Sequence, residues 1–125
     1  MIQANFRSYT MAVQLYRSAK AIELAHGLKD QLMRAASSVA LNLREGSAKP
    51  GPKDRRRFYL IAFASLREVQ AITDLEPERC IPLVDQADVL AAMLYRLTEP
   101  CSHACPQPEA QGQRPLATSL ISPPP

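Results

Sequence analysis

A cluster of basic residues near the middle of the sequence has the side chains needed to bind phosphate groups. Residues 44–57 carry six Lys or Arg side chains against two acidic ones, Glu45 and Asp54. The six residues of this basic patch are Arg44, Lys49, Lys53, Arg55, Arg56 and Arg57. A local basic patch indicates a polyanionic partner more strongly than a mildly basic isoelectric point does. The sequence therefore predicts RNA or DNA binding here. The alternative is that these residues are ordinary surface charges at the solvent-exposed start of a helix and bind no ligand.

Two other groupings have side chains suited to chemistry. The segment Cys101-Ser102-His103-Ala104-Cys105 holds ligands of the zinc type, but three ligands within five residues are too crowded to close a tetrahedral site alone. Glu45 and Glu68 form a candidate carboxylate pair, yet a di-iron bundle needs Glu-x-x-His elements, and neither glutamate is followed by such a His. We therefore expect no enzymatic activity, no metal and no cofactor.

Composition places the chain among small folded proteins. It has 125 residues, 46% of them hydrophobic and 22% charged, with a formal net charge of +3. No apolar run is long enough for a transmembrane helix, and the N-terminus lacks a basic segment followed by an apolar one, so no signal peptide is expected. Three cysteines, an odd number, suit a reducing compartment. These features favour a cytoplasmic protein with no membrane partner.

Proline distribution divides the chain into two parts. Seven of the eleven prolines lie in the last 26 residues, and helices and central strands do not accept proline at that density. We predict a disordered Pro-rich tail at 99–125 and a folded domain at 1–98.

Helical spacing of apolar residues organises this domain. Steps of three and four residues recur in four segments, and no segment alternates with period two. The predicted helices are Thr10–His26, Leu28–Glu45, Pro52–Asp74 and Pro82–Thr98, separated by the breakers Gly27, Gly46 and Pro77. Four amphipathic helices with short connections predict an all-α, antiparallel up-and-down four-helix bundle.

The third helix carries more apolar surface than one bundle needs. The run Phe58-Tyr59-Leu60-Ile61-Ala62-Phe63 is apolar around most of its circumference, and the fourth helix adds Val84, Ala91 and Tyr95 beside its main stripe. A helix that is apolar all round requires burial all round. The pattern predicts self-association. The alternative is that the third helix is covered on all sides by the other three helices of the same subunit.

A polar stripe runs beside the apolar stripe of the second helix and continues on the third. Regular polar placement beside a core predicts an inter-helix hydrogen-bond network, with Arg34 opposite Glu68, while a water-facing stripe is the alternative. The predicted members are Gln31, Arg34, Ser38, Asn42, Glu45, Ser65 and Glu68.

The same residues resemble a known family. Residues 28–46 contain Leu-x-x-Gln-x-x-Arg-Ala-x-x-Ser followed by Asn-x-x-Glu-Gly, which is similar to the bacterial four-helix-bundle family of 23S rRNA intervening sequence proteins. A second block, with Lys53-Asp54, Arg57-Phe58, Ala62, Ser65-Leu66 and Glu68, resembles the same family. The accessory variability determinant of diversity-generating retroelements is related to this fold.

This resemblance implies an antiparallel bundle that assembles into a ring, typically a homopentamer, without a catalytic site. In the retroelement relative, a basic surface binds nucleic acid and a reverse transcriptase. We therefore expect a non-enzymatic homo-oligomer that binds nucleic acid through its basic patch. The alternative is a scaffold for a protein partner, such as a reverse transcriptase, with no nucleic-acid role.

Overall fold

Four α-helices make up the protein as the computed structural model describes it, with backbone for residues 2–99 and side chains for residues 6–99. The helices are α1 Ile2–Ala21, α2 His26–Ser47, α3 Pro52–Leu75 and α4 Ile81–Thr98. Each helix packs against the next along the chain, and α1 also packs against α4. The predicted antiparallel four-helix bundle is confirmed. The tail predicted for 99–125 lies, apart from Glu99, outside the described residues.

The apolar stripes of the four helices meet in one core. Each helix contributes a fully buried leucine: Leu15, Leu32, Leu66 and Leu90. The stripes predicted for α1, α2 and α4 face this core, apart from half-buried members at their edges. In α3, Ile61 has the helical spacing of a core residue but is 41% exposed, because the face of α3 that meets both α2 and α4 is centred on other positions, including Leu66.

The break between α1 and α2 differs from the predicted one. α1 ends at Ala21, and Gly27 lies in the first turn of α2 instead of terminating α1. The cause is Lys29, whose Nζ donates hydrogen bonds to the carbonyl oxygens of Ala19, at 3.1 Å, and of Ile22. Carbonyl oxygens in the last turn of a helix lack the usual donor four residues on. That of Ala19 also accepts from the Ile22 N–H at 3.2 Å, and Lys29 on α2 adds a charged donor that caps α1. Thr10, where the first helix was predicted to begin, lies inside α1.

Gly46 was predicted to end α2 but lies inside its last turn, because α2 continues to Ser47. A Cβ atom built on Gly46 would lie 2.8 Å from Cε1 of Tyr59 and 3.0 Å from Cβ of Phe58. Such separations are too short for carbon atoms in contact. Glycine is therefore needed here for the close approach of α2 to α3, and not to terminate the helix.

Candidate nucleic-acid interface

The basic patch lies at one end of the bundle, where one end of each of the four helices is found. In an up-and-down bundle the start of α1, the end of α2, the start of α3 and the end of α4 lie together. Two contacts between distant residues confirm this arrangement. The Arg44 guanidinium lies over the Tyr9 ring, 5.5 Å from its centroid, and Arg56 Nε donates to the Thr98 carbonyl oxygen at 2.8 Å.

The fold adds two cations to the predicted patch. Arg7 in α1 and Arg96 in α4 are exposed at the same end, and we call the eight cations together the basic end. The nearby acidic residues number three, Glu45, Asp54 and Glu99, which leaves a net charge of +5. Arg7 and Arg96 are far from the cluster in sequence, and only the antiparallel order of the helices indicates that they join it.

The opposite end of the bundle is acidic. It carries four cations against six carboxylates, a net charge of −2. The cations are Arg17, Lys20, Lys29 and Arg79, and the carboxylates are Glu23, Asp30, Asp74, Glu76, Glu78 and Asp85. The charge of the described residues is thus strongly polarised along the bundle axis, and a polyanion would be attracted to one end and repelled by the other.

Two members of the basic patch hold the fold together. Arg55 Nη1 donates to the carbonyl oxygens of Lys49 and Pro50, both at 3.0 Å, in the connection between α2 and α3. Arg56 caps the last turn of α4 through the Thr98 carbonyl. Helix C-termini leave carbonyl oxygens without partners, and cations stabilise them through hydrogen bonds and the helix dipole. Arg55 and Arg56 are therefore only partly available to a ligand.

Other members of the patch lie against aromatic rings. The half-buried Phe58 ring has Arg57 Cζ 4.8 Å from its centroid and Lys49 Nζ 5.2 Å from it. Lys49 also forms an ion pair with Glu45 at 3.1 Å, which offsets part of its charge. Lys53 is exposed and has no ion pair within the described residues. The cations best placed to meet a ligand are thus Lys53, Arg57 and Arg44.

The predicted polar network forms in part. Ser38 Oγ and Ser65 Oγ are hydrogen-bonded at 2.8 Å across α2 and α3. Asn42 Nδ2 donates to the Ser38 carbonyl oxygen at 2.9 Å and to Ser38 Oγ at 3.1 Å. These three side chains are half-buried at the seam between the two helices. They support the packing that positions the basic end.

The other four predicted members of the network lie on the surface. Gln31, Arg34, Glu45 and Glu68 are exposed, and Arg34 and Glu68 form no ion pair among the described residues. Arg34 is one turn from Ser38 and Glu68 one turn from Ser65, on the same sides of their helices, but both side chains extend into solvent. The expected Arg34–Glu68 ion pair is not formed in the described structure.

Candidate catalytic and metal groupings are not brought together in the described part of the chain. The Ser38–Ser65 register places Glu45 and Glu68 about 15 Å apart along the bundle axis. Glu23 and His26 have the Glu-x-x-His spacing of di-iron bundles, but they fall in the link between α1 and α2 and at the start of α2. No group of three or more His, Cys, Asp or Glu among these residues is placed to hold a metal ion. The 101–105 cysteine motif lies outside them.

A groove elsewhere on the bundle has no connection with the basic end. It is open, has a volume of about 610 Å³ and lies between α3 and α4 towards the acidic end. Gln70 Nε2 donates to Asp88 Oδ1 across it at 3.0 Å.

Within the described residues, none of the helices is both long and apolar enough to cross a membrane.

Comparison with known proteins identifies the family. The sequence model of the family described as 23S rRNA-intervening sequence protein matches residues 2–97, which is the whole bundle. The chain belongs to this family. Among curated proteins, none matches it.

A solved structure has the same fold. It is the crystal structure of a protein of unknown function from the S23 ribosomal protein family of Bacteroides thetaiotaomicron, with a TM-score of 0.60 and 16% sequence identity. The superposition covers 79% of this chain and 98% of that one. At this identity the similarity shows the fold alone, and it agrees with the family assignment.

Proposed function

We propose that this family member is a non-enzymatic, cytoplasmic nucleic-acid-binding protein that assembles into a homo-oligomeric ring and contacts RNA or DNA through its basic end. One observation carries the proposal: cations from all four helices converge on one end of the bundle, with a net charge of +5 against −2 at the other. Such polarity is suited to a polyanion. The ring, with five subunits as the expected number, comes from the resemblance to the family.

Binding in this proposal is electrostatic. Lys53 and Arg57 on α3 and Arg44 on α2 would contact phosphate oxygens, and such contacts position the partner without reading its sequence. Each phosphate contact releases counterions, so affinity falls steeply as salt increases. In a ring, the basic ends of several subunits would act on one strand together, and this multivalency would raise the affinity well above that of a single subunit.

Self-association is supported by apolar side chains on the outside of the bundle. The large apolar residues that are well exposed are Phe6, Leu41, Leu60, Ile61, Leu75, Ile81, Val89 and Tyr95. Leu41, Leu60 and Ile61 lie on the outer faces of α2 and α3, whose register is set by the Ser38–Ser65 pair. An apolar patch spanning two packed helices is typical of a surface that another subunit covers.

The test is a fluorescence anisotropy titration of the full chain with labelled RNA and DNA between about 50 and 200 mM salt. We expect Lys53→Glu/Arg57→Glu to weaken binding strongly, because it reverses two charges at the basic end without removing the Arg55 and Arg56 caps. The matched control is Arg17→Glu/Arg79→Glu, which changes the net charge equally but elsewhere on the surface. Equal losses in the two variants, or no binding of wild type at low salt, would contradict the proposal.

A second candidate is a scaffold for a protein partner, such as a reverse transcriptase. It is favoured by the internal engagement of Arg55, Arg56 and Lys49, which leaves part of the patch committed to the fold. In this case the exposed apolar face on α2 and α3 would bind the partner. A Leu41→Glu substitution would then abolish capture of the partner, while Lys53→Glu/Arg57→Glu would leave it unchanged.

A further inference from the structure

The basic end carries an exposed aromatic side chain with no role in the core. Phe6 lies in α1, one helical turn before Tyr9 and towards the end of the bundle. Its side chain is 67% exposed and is absent from the hydrophobic core. No ring or cation contact engages it within the described residues. A large apolar group left in water among cations is suited to a ligand that is both anionic and aromatic.

One of the cations near Phe6 is held in position. The Arg44 guanidinium lies over the Tyr9 ring, with Cζ 5.5 Å from the centroid, and Arg7 directly follows Phe6 in α1. A guanidinium over a ring face is held by a cation–π contact while its N–H groups can still donate to phosphate oxygens. A phosphate-binding group is thus held one helical turn from Phe6 at this corner of the basic end, where α1 meets α2.

We infer that the basic end prefers single-stranded nucleic acid, with an unpaired base stacking on Phe6 while its backbone phosphates contact Arg7 and Arg44. The inference rests on the proposed function and names its substrate class. In a duplex the base faces are covered by neighbouring base pairs, so only the phosphates would remain for this surface. In a single strand every base offers a face for stacking, and binding of this kind tolerates any sequence.

The experiment compares a single-stranded oligonucleotide of roughly 20 nucleotides, longer than the sites of many single-strand binders, with a duplex of the same length at low salt. We expect tighter binding of the single strand by wild type. Phe6→Ala should weaken single-strand binding by roughly 5- to 150-fold, the usual range for loss of one stacked base, and leave duplex binding unchanged. Phe6→Trp should restore it. Leu75→Ala, which removes a similarly exposed apolar side chain at the acidic end, is the matched control.

Three outcomes would overturn the inference. If Phe6→Ala binds both nucleic acids as wild type does, Phe6 is not a stacking site, although the proposed function survives. If Phe6→Ala changes the oligomeric state seen by light scattering, Phe6 is a subunit contact. If wild type binds neither nucleic acid at low salt, the proposed function itself fails, and the inference with it.

Discussion

Arg56 on α3 donates a hydrogen bond from Nε to the main-chain carbonyl oxygen of Thr98, 2.8 Å away, and so closes the last turn of α4. The two residues are 42 positions apart, and their contact fixes the ends of two antiparallel helices to each other. A residue of the basic patch is therefore part of the bundle's structure. This separates cations that stabilise the fold from those that are free to meet a ligand.

Removing this cap should lower stability. We expect Arg56→Ala to reduce the free energy of unfolding by about 1–2 kcal/mol, because a hydrogen bond from a charged donor to an otherwise unpaired carbonyl is lost. Urea denaturation measures the change. Lys53→Ala, one turn before it and without a hydrogen bond in the described structure, is the control and should stay within about 0.5 kcal/mol of wild type. Equal stability of the two variants would mean that the cap contributes nothing.

Two glycines of α2 should respond to alanine in opposite directions. At Gly46 a Cβ would lie 2.8 Å from the buried Tyr59 ring, so Gly46→Ala must push α2 from α3 and should cost about 1–3 kcal/mol. At Gly27 nothing lies within 4 Å of the added carbon, so Gly27→Ala should stabilise the helix by up to about 1 kcal/mol. Thermal denaturation of both variants checks the prediction. A destabilised Gly27→Ala or a neutral Gly46→Ala would contradict it.

The Ser38–Ser65 hydrogen bond should appear as coupling between the two positions. Ser38→Ala removes the Oγ atom that Ser65 and Asn42 share, although Asn42 keeps its bond to the Ser38 carbonyl oxygen, and Ser65→Ala leaves Ser38 Oγ with Asn42 alone. Replacing both serines removes donor and acceptor together, which costs less than the sum of the single changes. We expect a coupling energy of about 0.5–1.5 kcal/mol in a double-mutant cycle measured by urea unfolding. Additive effects would show that the pair does not interact in solution.

The sequence predicted most of what depends on regular helical spacing. The leucine stripes and the meeting of Ser38 with Ser65 follow from steps of three and four residues, which place side chains on one face whatever the neighbouring helix does. Positions that depend on a contact between helices were not predictable in this way. The end of α1 is fixed by Lys29 from the next helix, and nothing in the local sequence around Ala21 signals it.

In the candidate site, too, the sequence predicted the side chains but not the contacts they make. A cluster of six cations was visible in the sequence, but the partners of Arg55 and Arg56 are main-chain carbonyls. Such acceptors are present at every residue, so no pattern of side chains reveals which of them a given arginine will reach. Arg7 and Arg96 were missed for a related reason, since their place at the basic end follows from the order of the helices.

Burial of Cys80 should make the stability of the folded protein depend on pH in the alkaline range. Its side chain is buried at the start of α4, and burial, with a smaller contribution from the charge of Glu76, raises the pKa of the thiol. The folded state therefore keeps the proton at a pH where the unfolded chain releases it. Above about pH 8.5, the ordinary pKa of a thiol, stability should fall as pH rises.

The measurement compares wild type with Cys80→Ala under reducing conditions. All other titratable groups are common to both proteins, so the difference in free energy of unfolding isolates Cys80. We expect wild type to lose stability relative to the variant between pH 8 and 10, as a thiol of raised pKa requires. A difference that stays constant across this range would contradict the assignment.

Leu41 tests the proposed self-association without disturbing the subunit. It is 67% exposed on the outer face of α2, so a charge there should not affect the core and the melting temperature of a single bundle should not change. If another subunit covers this face, Leu41→Glu buries an unpaired carboxylate at the interface, which is strongly unfavourable. Light scattering should then report smaller assemblies at micromolar concentration. Val89→Glu, on the outer face of α4 and 50% exposed, is the comparison, and equal assembly of wild type and Leu41→Glu would exclude the α2–α3 face as the contact between subunits.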